Sequence, residues 1–361
     1  MKNKSWVGEA MKFWGITWAL AVVFLLNSSA LYTQEQKKEN TWTRLYYKLL
    51  NNNENQGKSE LYFAKEDIPL FTQLIFSWNA VRPQKGHFSF WVSARDAKTK
   101  KWGTWHRMVD WGAGVQRSYL SKKGDHFSQY HHVRLEINED TASDAFKVRI
   151  ARNQGADFSA LKAFAVSLSN FNAFESEDSR NWSHLHSVHV SGVPRVSQFE
   201  LDHPKNDTLC SPTSCTMLAG FLSESHVDPI QFAQQVYDEG LDAFGSWPFN
   251  VANLYEICQG SFLFFTARLN SFDRLHNRLK QGTPVVVSVR GPLDGAAGAY
   301  RHGHLLVVVG WDAKKQEVIV HDPAFKKNAE VTKRYSIKDF VIAWERSRRL
   351  AYIVEPREQR G

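Results

Sequence analysis

The chain has 361 residues, of which 43% are hydrophobic and 13% aromatic, so it is long enough for two domains that each bury a core. A formal net charge of +8 favours acidic partners such as wall polymers, anionic lipids or nucleic acid. The basic residues are spread along the chain, and no nucleic-acid motif, internal repeat or phosphate-binding glycine loop accompanies them. We therefore predict no nucleic-acid partner and attribute the charge to solubility.

The N-terminus has the pattern of a secretory signal peptide. Three lysines within the first twelve residues precede the apolar run Phe13 to Leu26, and residues 28–30 are small enough for cleavage. This run of fourteen residues is short for a membrane span, which needs about twenty. We predict a cleaved signal over residues 1–30 and an exported protein, in the periplasm, at the cell surface or outside the cell. If the signal is not cleaved, it would anchor the protein in a membrane.

The first half of the mature chain is predicted to be a β-domain between two polar segments. Residues 31–60 are rich in Asn, Lys and Glu, which indicates a linker or an arm packed on the next domain. Residues 61–170 contain short apolar stretches separated by turns, which predict an antiparallel β-sandwich. The predicted strands are Leu74–Trp78, Phe88–Val92, Val133–Ile137, Phe146–Ala151 and Phe164–Leu168. Residues 171–190 are rich in Ser, Asn, Glu and His and are predicted to link the two domains.

Two groups of side chains in this half of the chain raise the question of a binding site. The first consists of the tryptophans Trp91, Trp102, Trp105 and Trp111. They could form an exposed platform for sugar rings or peptides, but we favour the interpretation that they fill the sandwich core. The second consists of the histidines His184, His186 and His189. No set of Cys or Asp partners has metal-ligand spacing nearby, so we predict polar histidines on a strand, with no metal and no cofactor.

The most informative segment begins at Cys210 and runs to Leu218. Pro212 suits the first turn of a helix, where its missing N–H would be unpaired anyway, and apolar residues then follow the helical period over residues 211–222. Backbone N–H groups therefore converge on Cys210, which favours its thiolate. A buried structural thiol or a disulfide partner is the alternative. Cys215 and Cys258 lack this setting, and we predict that they are structural thiols.

Two apolar, Val-rich runs further along the chain predict a β-hairpin. They cover residues 304–311 and 318–323 and surround the polar turn 312–317. Antiparallel pairing would bring His304 and Asp322 to the same end of the hairpin. An imidazole beside a thiol can take its proton, and a carboxylate on the other ring nitrogen fixes the tautomer and orientation.

The choice of these two residues has alternatives. A histidine before a strand is usually a surface or hydrogen-bonded residue, and Asp-Pro after a strand is usually a turn. His302 and His321 compete for the role of base, and we select His304 because it directly precedes the apolar run. Gln198 lies upstream of Cys210, where a side-chain amide can donate to an oxyanion, although a lone Gln is mostly an ordinary polar residue.

Five motifs together carry a resemblance to a known family. They are Gln198, Cys210-Ser211-Pro212-Thr213-Ser214, Gly282-Thr283-Pro284-Val285-Val286-Val287-Ser288, Gly303-His304 and His321-Asp322-Pro323-Ala324. Residues from about 193 to 355 thereby resemble the papain-like cysteine peptidases of family thirty-nine, the relatives of the double-glycine leader peptidases. The resemblance implies an α+β chain with a papain-like peptidase domain over residues 191–361, preceded by the β-sandwich domain. We expect the peptidase domain to fold without the sandwich.

The resemblance also assigns roles. Cys210 would be the nucleophile, His304 the general base and acid, Asp322 the orienting residue and Gln198 the oxyanion donor. Ser211 departs from the pattern, since the leader peptidases usually have Gly there. No transporter-like or ATP-binding segment follows, which indicates the stand-alone, exported branch of the family.

We therefore predict an exported cysteine peptidase that hydrolyses peptide or amide bonds through a Cys-His-Asp triad and a covalent thioester. Its partner would be a peptide or protein substrate, with cell-wall peptide as one candidate, and it would meet a membrane only through its signal. An acyltransferase or amidase on the same scaffold and a non-catalytic cell-surface binding protein are the alternatives. The full set of catalytic residue types argues against the last.

Overall fold

A computed structural model describes residues 41–51, 57–121 and 127–357 of the chain. The predicted signal peptide, residues 1–30, lies outside the described residues. In the described part, no helix is both long enough and apolar enough to cross a membrane. Three antiparallel sheets and five α-helices make up this part, so the mixed α+β class predicted from the sequence is confirmed.

Within the described residues, ten strands precede residue 170. They are β1 (Thr43–Leu49), β2 (Glu60–Lys65), β3 (Gln73–Ala80), β4 (His87–Asp96), β5 (His106–Gly112), β6 (Val115–Ser118), β7 (Ser128–His131), β8 (Arg134–Ile137), β9 (Ser143–Asn153) and β10 (Leu161–Ser169). Sheet 1 has the order β1-β10-β3-β8-β7, and sheet 2 has the order β2-β9-β4-β5-β6. The five predicted strands correspond to β3, β4, β8, β9 and β10. Strand β1 lies within the segment predicted as a linker or arm and pairs with β10.

The apolar faces of sheets 1 and 2 contact each other through aromatic rings. Phe76 and Trp78 of β3 lie 5.3 and 4.7 Å from the ring of Phe90 on β4, and Phe63 of β2 lies 5.2 Å from Phe164 on β10. The alternation of apolar and polar residues along these strands places one set of side chains between the sheets.

The four tryptophans do not share one environment. Trp111 is 1% exposed and belongs to the core, as we favoured, whereas Trp105 is 36% exposed. Trp91 is half-buried, and the guanidinium groups of Arg107 and Arg149 lie over its ring at 5.6 and 4.9 Å.

The remaining strands form sheet 3. They are β11 (Val188–His189), β12 (Phe262–Arg268), β13 (Val285–Val289), β14 (His304–Asp312), β15 (Glu317–His321), β16 (Thr332–Ser336) and β17 (Leu350–Pro356). Their order is β12-β17-β13-β14-β15-β16, and the short β11 pairs with β14. Strands β14 and β15 form the hairpin that the Val-rich runs predicted. Strand β11 belongs to the segment predicted as a linker, 171–190, so this segment packs on sheet 3.

Five helices accompany sheet 3. They are α1 (Cys210–Ser223), α2 (Pro229–Val236), α3 (Trp247–Ile257), α4 (Phe272–Lys280) and α5 (Ile337–Arg346). Helix α1 packs on the hairpin, because the Ser214 hydroxyl donates to the carbonyl of Leu305 on β14 at 3.0 Å. This contact fixes the start of α1 against the start of β14.

Side chains of β3 hold sheet 1 against the edge strand β12 of sheet 3. The Asn79 amide donates to the carbonyl of Phe264 at 2.9 Å and accepts its N–H at 2.7 Å. The Arg268 guanidinium donates to Gln73 Oε1 at 3.1 and 2.7 Å, and its burial lowers the pKa of Arg268 to about 9. Removal of sheet 1 would expose the backbone and side chains of β12 that these contacts cover.

Asn79→Ala is expected to lower the free energy of unfolding by about 2–4 kcal/mol, because it leaves two buried backbone groups of Phe264 without partners. Urea unfolding of the full chain measures the change. The control is Asn172→Ala at an exposed position, where we expect little effect. Equal stabilities of the two variants would show that the Asn79 contact does not hold the sheets together.

Candidate active site

Helix α1 begins at Cys210 without a capping side chain. Leu209 occupies the N-cap position and offers no side-chain acceptor, and no acidic residue lies in the first turn. The positive end of the helix therefore acts on the thiol and not on a fixed cap. Burial opposes ionisation of Cys210, but the hydrogen bond and charge of His304 and the backbone hydrogen bonds of Leu305 and Ser211 outweigh it, so the pKa of Cys210 lies below its ordinary value.

His304 is the first residue of β14 and lies between the thiol and a carboxylate. Its Nε2 donates to Asp322 Oδ1 at 2.7 Å, which leaves Nδ1 for the hydrogen bond with Cys210. Burial opposes the imidazolium, but the charge and hydrogen bond of Asp322 and the bond with Cys210 outweigh it and raise the pKa of His304 to about 10. The preceding Gly303 has φ +94°, a conformation that side chains disfavour.

The Asp322 carboxylate is fully buried and accepts four hydrogen bonds. His304 Nε2 and the N–H of Ala324 bond Oδ1 at 2.7 and 3.0 Å, and the hydroxyls of Tyr300 and Tyr335 both donate to Oδ2 at 2.7 Å. Burial alone would raise the pKa of Asp322, but His304 and the other donors outweigh it and lower the pKa. The carboxylate therefore stays ionised and in one orientation.

Tyr300 and Tyr335 were not among the residues predicted from the sequence. Tyr300 lies in the segment 290–303, and its ring stacks on the His304 imidazole with 4.0 Å between centroids and 15° between planes. Tyr335 lies on β16, next to β15 in sheet 3. A tyrosine in a strand or near glycines has no sequence signal that separates it from an ordinary core residue, apart from its closeness in sequence to His304.

Gln198 connects the loops on both sides of the site. Its backbone N–H donates to the carbonyl of Pro323 at 2.9 Å, and its side-chain Nε2 donates to the carbonyl of Asn206 at 3.0 Å. Pro323 directly follows Asp322, and Asn206 lies four residues before Cys210. The side chain is 2% exposed, and its Oε1 has no partner among the residues that the structure describes. Since Nε2 carries two hydrogens, one is left over from the bond with Asn206.

The competing residues lie in other surroundings. His302 is exposed, whereas His321 is buried, and its Nδ1 lies 3.0 Å from the carbonyl of Pro194. Burial lowers the pKa of His321 to about 4, so it is neutral at ordinary pH. Burial also raises the pKa of Cys215 well above its ordinary value and that of Cys258 to about 12. All three cysteines are free thiols.

The three histidines of the segment 171–190 are not gathered around one point. His184 bonds Asp273 at 2.7 Å, His186 offers its carbonyl to His276 at 2.7 Å, and His189 lies on β11. Over the ranges that the structure describes, no group of three or more His, Cys, Asp or Glu side chains is placed to hold a metal ion.

Residues 190–352 match the profile of the Peptidase_C39 like family. The matched region contains helix α1, the β14–β15 hairpin and all four of the predicted site residues. No curated protein is similar enough to the chain to count as a match.

Cys210 is expected to react with iodoacetamide before Cys215 and Cys258 between about pH 6 and 8, because only its pKa is lowered. Its rate should rise as pH increases through the lowered pKa of Cys210 and should change again near pH 10, where His304 loses its proton. Site-resolved mass spectrometry of the folded protein measures the three rates. Equal rates at all three thiols would contradict this assignment.

Proposed function

Residues 190–352 belong to the C39-like family of papain-like cysteine peptidases, and on that premise we propose that the protein hydrolyses peptide or amide bonds with Cys210 as nucleophile. The observation that carries the proposal is the hydrogen-bonded series Cys210–His304–Asp322 at the uncapped start of α1. The opposite pKa shifts of Cys210 and His304 favour a thiolate beside an imidazolium.

The proposed reaction has two halves. The Cys210 thiolate attacks the carbonyl carbon, a C–S bond forms and the carbonyl oxygen becomes an oxyanion. As the C–N bond breaks, the imidazolium of His304 gives its proton to the leaving amine, and a thioester remains on Cys210. Water then attacks the thioester while His304 takes a proton from it. Collapse of the second intermediate releases the acid and restores the thiolate.

Gln198 would stabilise both oxyanions through the hydrogen of Nε2 that Asn206 does not take. Backbone N–H groups at the start of α1 would add further donors, because this helix start has no side-chain cap. The bond between Nε2 and Asn206 supports the role, since it fixes the amide plane beside the residues that precede Cys210.

We further infer that sheets 1 and 2 form the accessory β-sandwich of an exported enzyme. The aromatic contacts between their faces support a sandwich, and the N-terminal sequence pattern supports export. Peptides, including cell-wall peptides, are the proposed substrates. Because an amine could replace water as the acceptor of the acyl group, the products decide between hydrolysis and transfer.

A mass-spectrometric screen of peptides and cell-wall fragments tests the proposed function. We expect cleavage by the wild-type protein and by Cys215→Ala, and none by Cys210→Ala. Products that carry an added amine would assign transfer in place of hydrolysis. Cleavage by Cys210→Ala at the wild-type rate would overturn the proposal.

Gln198→Ala is expected to leave alkylation of Cys210 nearly unchanged but to slow amide cleavage by roughly a hundredfold or more, the scale for one lost oxyanion donor. The contrast follows because alkylation develops no oxyanion. Gln129→Ala, an exposed glutamine on β7, is the matched control. An equal loss in both reactions would make the role of Gln198 structural.

His304→Ala is expected to remove most of the peptidase activity and to slow alkylation of Cys210 at neutral pH by about tenfold or more, the effect of one unit of thiol pKa. His302→Ala is the control, because its side chain is exposed two residues away. Peptide cleavage and alkylation of Cys210 are measured in both variants. Loss of activity in His302→Ala alone would show that the wrong base was chosen.

A further inference from the structure

The imidazole of His304 is confined on one face and along one edge. The ring of Tyr300 covers one face at 4.0 Å, and the Asp322 carboxylate holds Nε2 at 2.7 Å. Cys210 lies at the other ring nitrogen. Leaving amine and incoming water therefore both have to use the Nδ1 edge beside the thiol.

Tyr300 is itself held in an unusual conformation. Its φ is +44°, in the left-handed region that residues other than glycine seldom adopt. Its carbonyl accepts the N–H groups of Gly291 and Gly303 at 3.1 and 3.0 Å, so it joins both ends of the segment 290–303. These bonds fix the backbone at Tyr300 independently of the contact between its ring and His304.

Two tyrosine hydroxyls hold the same carboxylate oxygen. Tyr300 and Tyr335 both donate to Asp322 Oδ2 at 2.7 Å, which leaves Oδ1 for His304 and a backbone N–H. The titratable groups around Cys210 and Asp322 are His304 from β14, the two tyrosines, Cys215 from α1 and Tyr352 from β17. Among the residues that the structure describes, Tyr300 alone combines a hydroxyl contact on Asp322 with a stacked ring on His304.

We propose that Tyr300 and Tyr335 are positioning residues of the peptidase site. The Tyr300 ring fixes the plane of His304 so that Nδ1 faces Cys210, and the two hydroxyls fix Asp322 so that Oδ1 faces Nε2. This inference rests on the proposed function, because it assigns the two tyrosines to the same thiolate–imidazolium pair.

The two contacts of Tyr300 can be separated by substitution. Tyr300→Phe removes the hydroxyl and keeps the stacked ring, and Tyr300→Leu removes both. Tyr335→Phe is the matched control. It removes a hydroxyl that donates to the same Asp322 oxygen but leaves the ring that stacks on His304 unchanged. The two Phe variants should therefore resemble each other, and Tyr300→Leu should differ from both.

The test is the pH profile of iodoacetamide alkylation at Cys210 in the full chain, with Cys215 and Cys258 as internal references. We expect Tyr300→Leu to slow the reaction at neutral pH by about tenfold and to move its acidic limb upward by about one pH unit. Tyr300→Phe and Tyr335→Phe should each slow it by only about threefold. A pH profile closer to that of the wild type in Tyr300→Phe than in Tyr300→Leu would show that the ring at position 300 orients the His304 imidazole. A purely structural role would not give this difference.

The outcomes separate this inference from the proposed function. A reactive Cys210 with an unchanged profile in Tyr300→Leu, or an equal loss in Tyr300→Phe and Tyr300→Leu, would overturn the role of the ring. A wild-type Cys210 no more reactive than Cys215 would overturn both the proposed function and this inference. If Tyr300→Leu does not fold, the chemical shifts of the His304 ring protons in the NMR spectrum of the wild-type protein test the stacking role instead. Absence of an upfield shift from a stacked ring would overturn the stacking role.

Discussion

The buried charge of Asp322 is the constraint on which the site depends. A carboxylate removed from water must be neutralised or fully hydrogen-bonded. Asp322 accepts four hydrogen bonds, and one of them comes from Nε2 of the His304 imidazole. The carboxylate favours the charged imidazole, which in turn favours the thiolate of Cys210. Removal of one donor would therefore affect groups beyond its direct neighbour.

The fold supplies these groups from three separate elements of residues 190–352. Cys210 is the first residue of α1, His304 is the first residue of β14, and Asp322 directly follows β15. Hairpin pairing fixes the last two relative to each other, because Val307 lies opposite His321 and the chain continues to Asp322. The bond from Ser214 to the carbonyl of Leu305 fixes the helix on the same strand. Hairpin pairing and the Ser214 bond thus position the reactive side chains.

Much of this arrangement could be predicted from the sequence, but the residues that surround it could not. The hairpin and the helix start at Cys210 could be predicted because two continuous apolar runs around a polar turn and a Pro in the first helical turn are local features of the sequence. Tyr300 left no such trace, since its function arises from a loop conformation that only the folded chain defines. The short strands β5, β6 and β7 also lacked a clear apolar alternation. The role predicted for Gln198 came from the resemblance to family thirty-nine, since residue chemistry alone left it open.

The edge of sheet 3 explains why the two halves of the chain pack so closely. Strand β12 is an edge strand, and an edge exposes backbone donors and acceptors that invite pairing with other chains. Asn79 satisfies one such pair at Phe264 with its side-chain amide, so sheet 1 covers the edge without continuing the ladder. Strand β3 is buried on both faces, because one face contacts sheet 2 and the other contacts β12. Sheet 1 therefore contributes to the stability of the sheet that carries His304.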